Sequence, residues 1–210
     1  TSGKYSTIVM DIPTQNKTLS FHFVECTDAD GNNYPVVQIG TQIWMAENLK
    51  TTRYNDGTSI PNILDNANWS ASTNGARCWY NNDVNNKNSY GALYNWYAVY
   101  TNKLAPIGWR VPTNSEWTTL SNYLGGDNLS GGKLKETGFV HWQSPNTGAT
   151  NESGFTAVPA GSRIPNSSFD AINVHSNLWS STEYSETQGY YRNVGSWFSY
   201  MVTSAWIKTG

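Results

Sequence analysis

The 210-residue chain is long enough to bury a hydrophobic core without disulfide or metal staples. Charged residues make up only 13% of it and the formal net charge is −2, which excludes the basic excess that phosphate neutralisation demands, so nucleic acid is not an expected partner. No apolar run reaches the roughly 18–20 residues that a membrane-spanning helix needs.

Residues 5–12 and 18–26 read as a β-hairpin joined by PTQNK, the second arm alternating Leu19, Phe21 and Phe23 with Ser20, His22 and Val24. This hairpin, residues 1–26, reads as a separate extension, the remnant of an upstream surface or pilin-like domain. A turn at DADGNN (28–33) leads into a strand at 34–39, a Gly-centred turn and the segment QIWMAENL, together a β-meander. From Asn55 to Asn88 the Asn-, Ser-, Asp- and Gly-rich sequence predicts irregular chain pinned by Trp69, Trp79 and Tyr80. A helix is predicted over 90–100, with Leu93, Trp96, Tyr97 and Tyr100 on one face and Ser89 as N-cap. A second begins at Thr113, where Glu116 three residues on makes a capping box, and stops at Gly125-Gly126. GGKLKET (131–137) suggests a further helical turn, and 153–210 reads as short strands punctuated by Gly154, Gly161, Gly189 and Gly195. Two helices among many short strands predict an α+β domain.

The aromatic content is high, at 14% with 10 Trp and 13 Tyr, in a background rich in Asn, Ser, Thr and Gly. Such a composition suits loops fastened by large rings, and also recognition surfaces, where rigid Trp and Tyr contacts cost little conformational entropy. Tyr184, Tyr190, Tyr191, Trp197, Phe198, Tyr200 and Trp206 crowd the last part of the chain without a helical period. They are candidate ligand-binding residues, packing of the last strands being the alternative.

Signals for chemistry are sparse. Asp28, Asp30 and Asn32 around Gly31 resemble the first half of a calcium loop, but position twelve of such a loop falls on Ile39 rather than a bidentate Glu, which favours a plain turn. His22, His141 and His175 share no metal-ligand spacing, no Gly-x-Ser-x-Gly elbow is present, and Arg77 is the sole basic neighbour of Cys78. No cofactor, metal or catalytic group is therefore expected. Cys26 and Cys78 allow one intramolecular bridge, and spacing leaves open whether it forms.

A family resemblance emerges from several motifs in order: DADGNNYPVVQIGTQIWMAENLKTTRYNDGTSIP (28–61), CWYNND (78–83), YGALYNWYAV (90–99), LAPIGWRVPTNSEWTTL (104–120), GGKLKETG (131–138), TNESGFTAVPAGSR (150–163) and WSSTE (179–183). Together they resemble the fibrobacter-type major paralogous (FISUMP) domain, covering residues 27–210. The resemblance implies a secreted or surface-attached bacterial protein of the Bacteroidota or Fibrobacterota, and GWRVPT-x-x-EW is similar to the core of the C-type lectin-like fold, shared with formylglycine-generating enzymes. Trp44, Trp96, Trp109, Trp117 and Trp179 fall inside these motifs and are expected in the core. Both cysteines precede the late pair that formylglycine-generating enzymes use, so that activity is not expected. Members usually continue with a segment like SVRC where this chain stops at Lys208-Thr209-Gly210, which implies a domain cut short at its C-terminus. Where relatives carry an Asn-rich segment, this chain has VGSWFSYMVTSAWIKTG, which resembles a diversified segment of diversity-generating-retroelement variable proteins. The expected function is an adhesin-like, non-enzymatic module binding a protein or glycan on another cell or host surface; the alternative is a structural subunit of a surface or pilus assembly.

Overall fold

A computed structural model describes residues 25–164 and 168–210. The hairpin expected over 5–12 and 18–26 lies outside the described residues, apart from Glu25 and Cys26. The architecture is α+β. Strands β1 (Val36–Ile39) and β2 (Gln42–Met45) form the expected meander hairpin, and β3 (Arg77–Cys78) pairs with β4 (Leu93–Tyr94). A five-stranded sheet holds β5 (Ala160–Arg163), β6 (Phe169–Ile172), β7 (His175–Ser185), β8 (Gln188–Gly195) and β9 (Val202–Ile207) in the order β6-β5-β7-β8-β9. Only the β5–β7 pair is parallel.

The capping-box helix forms as expected. Helix α4 (Asn114–Tyr123) starts at Thr113, whose hydroxyl accepts from the Glu116 N–H while the Glu116 carboxylate accepts from the Thr113 N–H. Trp117 and Leu120 on this helix, and Leu124 at its C-cap, enter a core with Ile39, Trp44, Leu134, Trp142, Phe155, Val194 and Met201. Replacing Thr113 by Ala should cost about 1 kcal/mol in urea denaturation, the usual magnitude for a lost N-cap; an unchanged midpoint would mean that the helix start is held by tertiary contacts alone.

The helix expected over 90–100 is broken in two. Helix α2 (Lys87–Tyr90) ends at Gly91, where φ is +74° and an added Cβ would lie 2.7 Å from Asn48 Cβ and 2.8 Å from the Leu49 carbonyl oxygen. That close approach forces the chain out of helical geometry, and Leu93, although at helical spacing, joins strand β4. Helix α3 (Trp96–Tyr100) then begins at Asn95 rather than Ser89. The buried Asn95 Oδ1 accepts from both the Ala98 and the Ala76 N–H groups.

Between these elements, 55–88 is largely irregular apart from helix α1 (Asn66–Ala71), strand β3, two short 3₁₀ turns and the start of α2, and Trp69, Trp79 and Tyr80 are all buried. The helical turn suggested at 131–137 belongs to a longer helix, α5 (Asp127–Leu134). Of the motif tryptophans, Trp44, Trp96 and Trp117 are buried, whereas Trp109 and Trp179 remain half-buried. Cys26 and Cys78 are both buried and free, so no bridge joins them, and burial raises each thiol to about 11, far from reactive thiolates.

Candidate functional site

Side chains alternate across strands, and paired residues in neighbouring strands share a face. On one face of the large sheet, Ser176, Leu178, Arg192 and Val194 turn toward α4. Arg192 is buried there and donates to Asn114 Oδ1 at 2.7 Å, the Asn114 carbonyl and the Thr118 hydroxyl. The opposite face therefore carries His175, Asn177 and Trp179 from β7, Tyr191 and Asn193 from β8, and Ser204 and Trp206 from β9.

Helix α3 covers one end of this second face. Trp96 lies against Gly189, where a Cβ would sit 2.2 Å from its ring, and its indole N–H donates to the Ser180 carbonyl. Lys208, bonded to Glu183 and to the Glu186 carbonyl, stands 4.7 Å over the Trp96 ring and closes that end. Beyond it three rings meet edge to face: Trp179–Tyr191 at 6.0 Å and Tyr191–Trp206 at 6.4 Å. Next comes an amide row. Asn193 Nδ2 donates to Asn177 Oδ1 at 2.7 Å and lies 3.2 Å from His175 Nδ1. Burial holds His175 below its ordinary imidazole value, so it is neutral at pH 7. His175, Asn177, Trp179, Tyr191, Asn193 and Trp206 line one cleft, whose wall runs on through Gly161, Arg163 and Asp170.

The far end of the face is finished by the loop between β8 and β9. Phe198 packs over Gly195, 6.1 Å from the His175 ring, and stacks on Tyr200 with centroids 4.2 Å apart and planes 12° from parallel. The loop is bound through its backbone. The Gly132 N–H donates to the Ser199 carbonyl at 2.6 Å, and the Met201 N–H donates to the Asp127 carbonyl. The buried Lys135 ammonium donates to the carbonyls of Thr147, Gly195 and Phe198 at 2.8–2.9 Å.

The seven candidate ligand residues thus divide into two groups. Tyr191 and Trp206 lie on the free face, with Phe198 and Tyr200 at its end and Trp197 on the loop, 60% exposed. Tyr190 is on the same face as Arg192 and pairs edge to face with Tyr184 at 5.0 Å, away from the others. His175, Asn177, Trp179 and Asn193 complete the face and were not singled out as ligand-binding residues; the alternation Tyr191-x-Asn193 was the available signal.

The DADGN segment closes as an Asp turn. Asp28 Oδ1 accepts from the N–H groups of Asp30 and Asn32, and Oδ2 from Asn32 Nδ2 and the Tyr34 hydroxyl, so the carboxylate is spent on its own turn. Among the described residues no cluster of three His, Cys, Asp or Glu side chains could hold a metal, and no helix is long and apolar enough to cross a membrane.

No curated protein and no solved structure matches the chain. A family model described as the Fibrobacter succinogenes major domain matches residues 37–209, more than three quarters of the sequence, and the motifs on which the resemblance rested from Val37 onward fall within that span. The chain belongs to the Fibrobacter succinogenes major domain family.

Proposed function

We propose that this chain is a non-enzymatic recognition module, displayed at a cell surface, that binds a protein or glycan through the free face of β7, β8 and β9 and the loop that ends it. One observation carries the reading: Trp197, Tyr200 and Trp206, on this face and its loop, are 43–60% exposed and belong to none of the buried clusters. Large rings gathered on a surface are the usual anchors of binding patches, and a subunit that only fills space in an assembly has no need of them. The mixed sheet, the short helices and the GWRVPT segment support a C-type lectin-like scaffold. The position of the late aromatics on one loop and one strand face supports a segment open to diversification.

Arrays of glycans and of host surface proteins test the proposal. The wild-type chain should bind at least one arrayed ligand, and a Trp197→Ser, Tyr200→Ser, Trp206→Ser variant should lose about 2 kcal/mol or more of that binding, as for hot-spot anchors. Binding that survives all three substitutions would overturn the reading. For diversification, the flanking DNA should contain a near-identical template repeat beside a reverse transcriptase, and its absence would end that part of the proposal.

A further inference from the structure

We propose that the free face of β7, β8 and β9 is a site for an uncharged saccharide, with Trp206 and Tyr191 as ring platforms and His175, Asn177 and Asn193 as the groups that hold its hydroxyls. This rests on the recognition reading above and names the ligand class for that same surface.

The hydrogen-bonding capacity of the amide row is the first argument. Asn193 Nδ2 has two hydrogens, one directed to Asn177 Oδ1 and one to His175 Nδ1. With Nδ1 accepting, the neutral imidazole carries its proton on Nε2, which is then a donor. Asn193 Oδ1 is left as an acceptor. Asn177 Nδ2 has only a 3.5 Å contact with the Gly161 carbonyl, at the limit of a hydrogen bond. Among the described residues, neither His175 Nε2 nor Asn193 Oδ1 has a hydrogen-bond partner. Two donors and an acceptor thus stand side by side in a half-buried cleft. An apolar side chain docked over them would leave all three unsatisfied, which is costly in a half-buried site. Neighbouring hydroxyls, each both donor and acceptor, satisfy that pattern.

Charge is the second argument. The face carries no formally charged side chain from β7, β8 or β9 in its open part. Arg163, in the wall of the cleft, is committed to the carbonyls of Ile63 and Leu64 and to Asn66 Oδ1, and Lys208 and Glu183 neutralise each other at the closed end. Asp170 of β6, in the same wall near His175, adds a carboxylate, so among the described residues an anionic ligand would meet that carboxylate and the Asn193 carbonyl oxygen but no uncommitted cation. Aromatic rings beside the amides then complete the chemistry: their faces take the C–H faces of a sugar ring, while a few placed polar groups fix its orientation.

The test titrates the isotope-labelled chain with cellohexaose, xylohexaose and mannohexaose, and with a charged oligogalacturonate, each to about 5 mM, enough to populate millimolar complexes. At least one neutral probe should shift the Trp206 indole N–H and the Asn177 and Asn193 side-chain amide signals, and the charged probe should not. Trp206→Ala and Asn193→Ala should each weaken that binding by about tenfold or more, while Tyr123→Ala, exposed on α4 and away from the face, should change it less than about twofold. If Asn193→Ala fails to fold, Trp206→Ala, at an exposed position, decides alone. No shift with any neutral probe overturns the saccharide site; if an arrayed protein still binds through Trp197 and Tyr200, the recognition reading stands without it. Loss of both kinds of binding overturns both.

Discussion

Gly132→Ala is expected to lower the stability of the fold by about 2–3 kcal/mol, against the helix-propensity gain of about 1 kcal/mol that alanine brings elsewhere. Gly132 lies inside α5, where a Cβ would stand 2.2 Å from the Gly148 carbonyl oxygen. The Gly132 N–H is bonded to the Ser199 carbonyl, and its own carbonyl accepts from the Thr150 N–H at 3.0 Å. Its neighbour Gly131 meets the Tyr200 carbonyl at the same 2.2 Å. All of these are backbone atoms, so no side-chain rotation relieves the clash; at Gly132 the helix must separate from the 148 segment, which itself packs on Ser199 of the aromatic loop. Urea denaturation measures the loss, and the Trp197 indole N–H resonance should shift as the neighbouring loop is disturbed. A stabilised variant would mean that α5 and the 148 segment do not pack backbone to backbone.

Lys135→Met should cost about 3–5 kcal/mol. Each of the three carbonyls that Lys135 serves would lose a charge-assisted bond worth about 1.5–3 kcal/mol, while methionine keeps most of the stem volume. The loss is smaller than three such bonds because burial of an ammonium is itself unfavourable, as its lowering to about 8 shows. That shift has a pH signature. The folded protein releases the proton near pH 8 whereas the unfolded chain holds it to about 10.5, so the unfolded state binds more protons between these values and rising pH favours the fold. Across that window the wild type should gain stability on the variant. Parallel pH curves would show that Lys135 keeps its ordinary affinity for protons.

What the sequence revealed followed from how local the cause was. Thr113 and Glu116 are three residues apart and satisfy each other, so α4 could be read directly. Gly91 answers to Asn48 and Leu49, more than forty positions away, and the periodic spacing of Leu93 and Trp96 concealed the break. The Gly131-Gly132 pair suggested a short turn because glycine is a poor helix former; its cause is the approach of the 148 and 199–200 backbone, which only the fold brings near. Lys135 gave no sign of burial, since its partners are main-chain carbonyls at 147, 195 and 198. In β8 the inward positions alternate as Arg192 and Val194, and the buried guanidinium broke the apolar pattern that would have separated the two faces of the sheet.

Central to this account is a core that closes without the late aromatics. A thermal melt of the variant with Tyr184, Trp197, Tyr200 and Trp206 all replaced by Ser tests it most directly. Exposed substitutions cost about 0.5 kcal/mol at most, so the account predicts a cooperative transition lowered by no more than about 8 °C. A fall of about 15 °C or more, or loss of cooperativity, would contradict it, because those rings would then be part of the packing rather than a surface built upon it.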